Sequence, residues 1–224
     1  MKNKYVKRSK ISEAKFRSII MHFCLELDPV KIAALTRLHH NTINRYLRRI
    51  RIRIAELCES QAYLRQAVEK NMSEHHECCS PDGYKQPLEK RLPIFSIRSR
   101  NDHIYTSLLP NGIQQKQRRF LQSNRALLSC GIPKQWQHYD AIVDLNGQHY
   151  YRLGFLSSGD QDNNAAPDLI DQFIGFTRKR LKAFNLKADD HLRLVLKECE
   201  FRFNNRHEDL YPLLLRVFRD YPLA

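Results

Sequence analysis

Glycine is scarce in this chain, seven residues in 224, and none of them falls into a G-x-G-x-x-G or Walker spacing. A backbone loop that cradles phosphates has no footing here, and nucleotide hydrolysis has none either. Long apolar runs are missing as well. The most continuous, Leu213 to Leu215 and residues 18–23, fall far short of the roughly 20 residues that cross a bilayer. The basic N-terminus MKNKYVKRSK leads into mixed sequence, so neither a membrane span nor a secretory signal is expected, and the expected location is the cytoplasm. Cysteine is too sparse and too scattered for a disulfide scaffold: Cys24, Cys58, Cys78, Cys79, Cys130 and Cys199 read as reduced thiols. His75-His76-Glu77-Cys78-Cys79 contains zinc-ligating types, but adjacent pairs lack the short loop that wraps a tetrahedral ion, and no second pair lies nearby. No metal site and no small-molecule substrate are expected from these features.

Acidic residues are the remaining deficit. Asp and Glu number 24 against 38 Lys and Arg, a net charge of +14 with a pI near 9.7, and a polyanion is the partner that such a balance fits. Residues 1–70 hold 16 of the cations and 6 of the acids, a net of +10, whereas the rest of the chain nets only +4. The positive field is therefore concentrated in the first third.

The apolar pattern of that third is helical. Phe16, Ile19, Ile20 and Phe23 share one face, and after the break at Asp28-Pro29 a second set, Ile32, Leu35 and Leu38, follows. A third helix is expected from about Asn41, because Ile43, Leu47, Ile50, Ile54 and Leu57 keep a three-to-four-residue period that overrides the local Arg-Ile alternation of residues 49–54. Ile32, Ala33, Leu38, Ile43 and Tyr46 have the spacing of a helix-turn-helix, with Arg37 at the turn position where glycine is usual. If Ile43 and Tyr46 face inward, His40, Asn41, Asn44, Arg45, Arg48 and Arg49 face out. Asn pairs bidentately with adenine and Arg with guanine, so Asn41, Asn44 and Arg45 are candidate base readers, and Arg48, Arg49, Arg51 and Arg53 candidate phosphate contacts.

The expected organisation is a helix-turn-helix domain at 1–57, a linker at 58–86 rich in turn formers and polar groups, and a second domain at 87–224. In the second domain, residues 92–97 and 103–109 read as strands around a turn at Asn101-Asp102, and 148–155 reads as a further strand. Residues 114–128, 168–184 and 188–203 read as helices. Overall the class is α/β in the broad sense, α+β in segregation.

Residues 168–205, DLIDQFIGFTRKRLKAFNLKADDHLRLVLKECEFRFNN, carry a resemblance. They are similar to the end of the small ISXO-type DDE transposases of bacterial insertion sequences, whose last helices read approximately IENFW, a Lys, a basic run and YLKECEWRFNN. Upstream, residues 94–111 resemble that family's strand pair, and residues 33–42 lie where its members carry a helix-turn-helix. The resemblance implies an RNase H-like domain with a mixed sheet flanked by helices, double-stranded DNA as partner, and assembly as a homodimer or larger multimer on DNA. It also implies three acids that hold two divalent ions for attack on phosphodiesters. Those three positions fall on Met72, with Glu74 two residues on, Lys134 and Asp171, and the family's downstream Lys falls on Arg178. Arg178, Lys179, Arg180 and Lys182 form a second basic cluster on a helix that in this family lies beside the DNA-binding groove, so the resemblance implies Arg178 as a further DNA contact and a bacterial, nucleoid-associated location. One carboxylate of three does not hold a metal pair. The expected function is thus a transposase-like DNA-binding protein of insertion-sequence origin with a degenerate catalytic site and no cofactor. The competing expectation is an active DDE enzyme using Mg²⁺ or Mn²⁺ through shifted ligands such as Glu74, Glu77, Asp140 or Asp144.

Overall fold

The computed structural model describes residues 3–70, 94–109, 139–145, 149–153, 168–182 and 189–223. The helix expected at 114–128 and the segment 71–93 lie outside these residues.

Helix α1, Glu13–Cys24, starts where the Ser12 side chain accepts the Lys15 N–H at 3.3 Å, and Phe16, Ile19, Ile20 and Phe23 form its buried stripe. Helix α2, Pro29–Thr36, is started by Asp28, whose carboxylate accepts the Val30 N–H at 2.8 Å, with proline at its first position. It ends on Arg37 at φ 52° and ψ 46°, so the left-handed turn residue anticipated from the spacing is present without glycine. Leu35 departs from the expected apolar set. It is 60% exposed, and the inner place one residue on is taken by Thr36, whose hydroxyl bonds back to the Ile32 carbonyl at 2.7 Å.

Helix α3 runs His40–Lys70, well past its expected end at Leu57, so residues 58–70 of the expected linker are helical. The period continues because Cys58, one turn beyond Ile54, is buried with its thiol 3.7 Å from the Lys197 carbonyl.

Strands β1, Ile94–Arg100, and β2, His103–Leu108, form the expected hairpin. Asn101 and Asp102 both have positive φ, 48° and 61°, as a two-residue turn matched to strand twist requires. β3, Ala141–Asp144, pairs with β1, and β4, His149–Arg152, with β3. The order is β2-β1-β3-β4 and every pairing is antiparallel, whereas the resemblance implied a mixed sheet; among the described residues no two neighbouring strands pair in parallel. β3 was not expected, being four residues of an apolar run with no alternation to mark it.

Helices α4, Leu169–Lys182, and α5, Asp189–Asn204, cover one face of the sheet, with Phe173, Leu192, Val195 and Cys199 packed on Phe95, Ile97 and Val143. A smaller cluster, Ile94, Leu109, Ile142 and Leu153, lies on the other face. Helix α6, Leu210–Asp220, was also not expected. Asp209 caps it, accepting the Tyr211 N–H at 2.9 Å, and its Leu214 and Phe218 enter the core made by α1, α2 and α3. The class is mixed α+β, with six helices and a four-stranded antiparallel sheet among the described residues. Among those residues no helix is long and apolar enough to cross a membrane.

Candidate nucleic-acid interface

The start of α3 divides its residues as its period demands. Ile43, Tyr46, Leu47 and Ile50 are buried, and His40, Asn41, Asn44, Arg45 and Arg48 are exposed, with Arg49 half-buried. The His39 carbonyl accepts the N–H groups of Thr42 and Ile43, and its ring Nδ1 accepts that of Asn41 at 3.2 Å, so the helix start is capped from the turn. His40 Nδ1 and Asn44 Nδ2 are 3.2 Å apart. The guanidiniums of Arg45 and Arg49 each lie 5.7 Å from the centre of the Tyr46 ring, which holds both cations at the helix surface. A helix N-terminus, two amides and three arginines thus share one open face, and each of these groups favours an anionic, hydrogen-bonding partner.

Arg51 and Arg53, expected to meet phosphates, turn the other way. Arg51 lies one turn beyond Leu47, on the side that meets α5, and its Nε donates to Glu198 Oε2 at 2.7 Å. Arg53 donates to the Pro222 carbonyl at 3.3 Å and pairs with Glu56 at 2.8 Å. Both guanidiniums are spent inside the molecule.

Glu198 is the hub that sequence reasoning missed. It is buried on α5 and receives Arg51, Arg180 at 2.9 Å and Arg202 at 2.8 Å. Burial alone would raise its pKa, but Arg51, Arg202 and Arg180 outweigh that and hold the carboxyl below the usual carboxylate range. Arg202 also donates to the Phe23 carbonyl at 2.7 Å and the Cys24 carbonyl at 3.3 Å, closing the C-terminus of α1, and lies 4.5 Å from the Phe23 ring. Glu26 completes the set by pairing with Arg180 and with Arg202. The KECEFR run that carries most of the resemblance is therefore a buried ionic weld between α3, α4, α5 and the end of α1. Periodicity gave no hint of it, because charged residues in a helix read as a solvated face.

The second basic cluster divides in the same manner: Arg180 is directed to Glu198, and Arg178 and Lys179 are exposed. Asp171, in the first turn of α4, accepts a hydrogen bond from the Tyr150 hydroxyl, and its own N–H donates to Asp168 at 2.9 Å. Arg178 lies 5.9 Å from the same Tyr150 ring, so Asp171 and Arg178 meet through a tyrosine of β4. Asp140 Oδ2 accepts the Ser99 N–H at 2.5 Å, and Asp144 is buried at the end of β3. Met72, Glu74, Glu77, Lys134 and the His75–Cys79 cluster lie outside the described residues. Among those described, no three His, Cys, Asp or Glu side chains gather as metal donors.

No protein-family model matches the chain, and no curated protein or solved structure is a match to it.

Proposed function

We propose that this chain is a duplex-DNA-binding protein of insertion-sequence origin, with a helix-turn-helix head and a degenerate RNase H-like domain that does not cut. The observation that carries the reading is the exposed face of α3: Asn41, Asn44, Arg45 and Arg48 project outward beside a turn whose left-handed residue, Arg37, stands three positions before the helix begins. The α2-turn-α3 unit supports a helix-turn-helix, with Ile43 and Tyr46 locking the reading helix to its support. In this reading Asn44 and Arg45 address base edges, Arg48 and Arg49 address phosphates, and Arg51 and Arg53 hold α3 in place. Loss of cutting is supported by Met72 and Lys134 at positions where the resemblance expects acids, and by the engagement of Asp171 with Tyr150.

The test is retention of labelled duplex, with and without Mn²⁺, across a salt series. The parent should bind with an affinity that falls by about 0.9 log unit per tenfold salt for each phosphate neutralised. Arg45→Glu with Arg48→Glu should abolish retention, and Mn²⁺ should produce no nicks. A flat salt response defeats the binding reading. Metal-dependent nicking that disappears in Asp171→Ala defeats the non-cutting half and establishes the enzyme in its place.

A further inference from the structure

The segment before α1 lies outside the face described so far, yet it is held to the same helical core and to α3. Val6 bridges Leu223, the Lys7 N–H donates to the Leu223 carbonyl at 2.8 Å, and the Leu223 N–H donates to the Tyr5 carbonyl at 2.9 Å. Tyr5 is buried and stacks on Phe16 at 5.8 Å. Further along, the Ser9 hydroxyl accepts the Ile11 N–H at 3.1 Å and lies 3.2 Å from the Tyr46 hydroxyl. Tyr46 is the residue whose ring Arg45 and Arg49 overlie. The hydroxyl pair therefore ties the segment that carries the exposed Lys7, Arg8 and Lys10 to α3, at the residue whose ring Arg45 and Arg49 overlie.

Two features point to a ligand for this arm. Among the described residues Lys7, Arg8, Lys10, Arg45 and Arg49 have no acidic partner within ion-pair distance, although Lys4 nearby is paired with Glu13 at 3.3 Å. None of these five cations is neutralised by an acid among the described residues, and a polyanion supplies what is missing. Arg8, moreover, stands at φ 51°, a backbone conformation that glycine adopts freely and arginine does not. At Arg37 the same conformation ends a helix, whereas Arg8 stands in a turn outside any helix or strand, and a strained residue in such a place is a starting point for a functional hypothesis.

We infer that residues 7–10 form a second, sequence-independent contact with the phosphate backbone of the duplex that α3 reads. Arg8 and Lys10 supply the charge, and the Ser9–Tyr46 pair fixes the arm relative to the helix. The inference rests on the DNA-binding reading above and adds a contact to it.

The experiment uses the full chain and a short mixed-sequence duplex, read by fluorescence anisotropy over a salt series. Arg8→Gly with Lys10→Gln removes two charges, and the glycine suits the backbone at residue 8, so the fold is kept or strengthened; a thermal melt checks this. The expected result is weaker binding at low salt, to all duplex sequences alike, with the log-log salt slope shallower by about 0.9 for each phosphate that is no longer neutralised. Ser9→Ala should weaken binding in the same direction with the slope largely preserved. A double variant with the parent's affinity and slope overturns the inference and leaves the role of α3 intact, provided that Arg45→Glu with Arg48→Glu still abolishes binding. A parent that ignores duplex at every salt concentration overturns both. An arm effect seen only on single-stranded RNA of equal length also overturns the inference, because the arm would then serve a different polymer.

Discussion

Glu198 places one negative charge among the guanidiniums of Arg51, Arg180 and Arg202, with little water to screen any of them. Removing the acid leaves the arginines buried and facing one another, which in other proteins costs about 3–5 kcal/mol. Glu198→Gln is accordingly expected to lower the urea midpoint strongly at neutral pH, and an unchanged midpoint would show that the arginines re-pair without it. The pH dependence follows from the depressed carboxyl. Glu198 binds a proton less readily folded than unfolded, so its contribution is fully present above the ordinary glutamate value of about 4.3 and is lost as pH falls through the lower folded value. The parent should lose stability over that acid range more steeply than Glu198→Gln, as urea titrations at successive pH values would show. The thiols follow from burial in the same way: Cys199 is pushed up to about 12 and Cys24 to about 11 by burial, and Cys58 is raised by the same cause. Alkylation mapped by mass spectrometry near neutral pH should leave Cys58 and Cys199 unmodified until the chain is unfolded.

The contact between α5 and β2 solves an edge problem. Among the described residues β2 is an outer strand of the sheet, and its outward backbone groups at two positions are taken by side chains of α5. Asn204 receives the Ile104 N–H and donates to the Ile104 carbonyl, both at 2.8 Å. Glu200 receives the Thr106 N–H at 2.8 Å, and Lys197 donates to the Thr106 carbonyl at 2.7 Å. A polar helix face thereby stands in for a further strand, and the edge is closed to other chains. Asn204→Ala leaves two such backbone groups without partners; a loss of about 2 kcal/mol is expected, with faster hydrogen exchange at Ile104 than at Ile97 of the inner strand. At the turn before α3, Arg37→Gly relieves a left-handed arginine and should gain about 1 kcal/mol. For a chain of this size that is roughly 2–4 °C in the thermal midpoint, and a midpoint that falls instead would mean that the Arg37 side chain holds the turn.

Over the whole molecule, the two ends of the chain share a core. Phe218 of α6 packs edge-on against Phe16 of α1 at 5.9 Å, Phe201 of α5 joins the same cluster, and Leu223 pairs with the segment that precedes α1. The surface that seats α3 is thus completed from the last residues of the sequence. Phe218→Ala is expected to cost about 3–5 kcal/mol. It should also weaken duplex binding although Phe218 is buried and far in sequence from Asn44 and Arg45. Denaturation and anisotropy on the same preparation check both. Binding that survives a full loss of that stability would show that the first three helices hold their arrangement alone.

The sequence by itself determined the helices with a long apolar period and the hairpin at Asn101-Asp102, because those depend on spacing and on turn residues tolerant of positive φ. It also determined which side of α3 is buried, and so the open positions of His40, Asn41, Asn44, Arg45 and Arg48. Tertiary structure alone decided the rest. Arg48 and Arg51 are three residues apart on one helix, yet one faces solvent and the other a buried carboxylate 147 residues away. The same holds for Arg178 and Arg180, and for an apolar run at 213–215 that becomes one side of a helix folded back on α1. A charge carries no mark in the sequence of whether water or an opposite charge will surround it, since that depends on which distant helix arrives beside it.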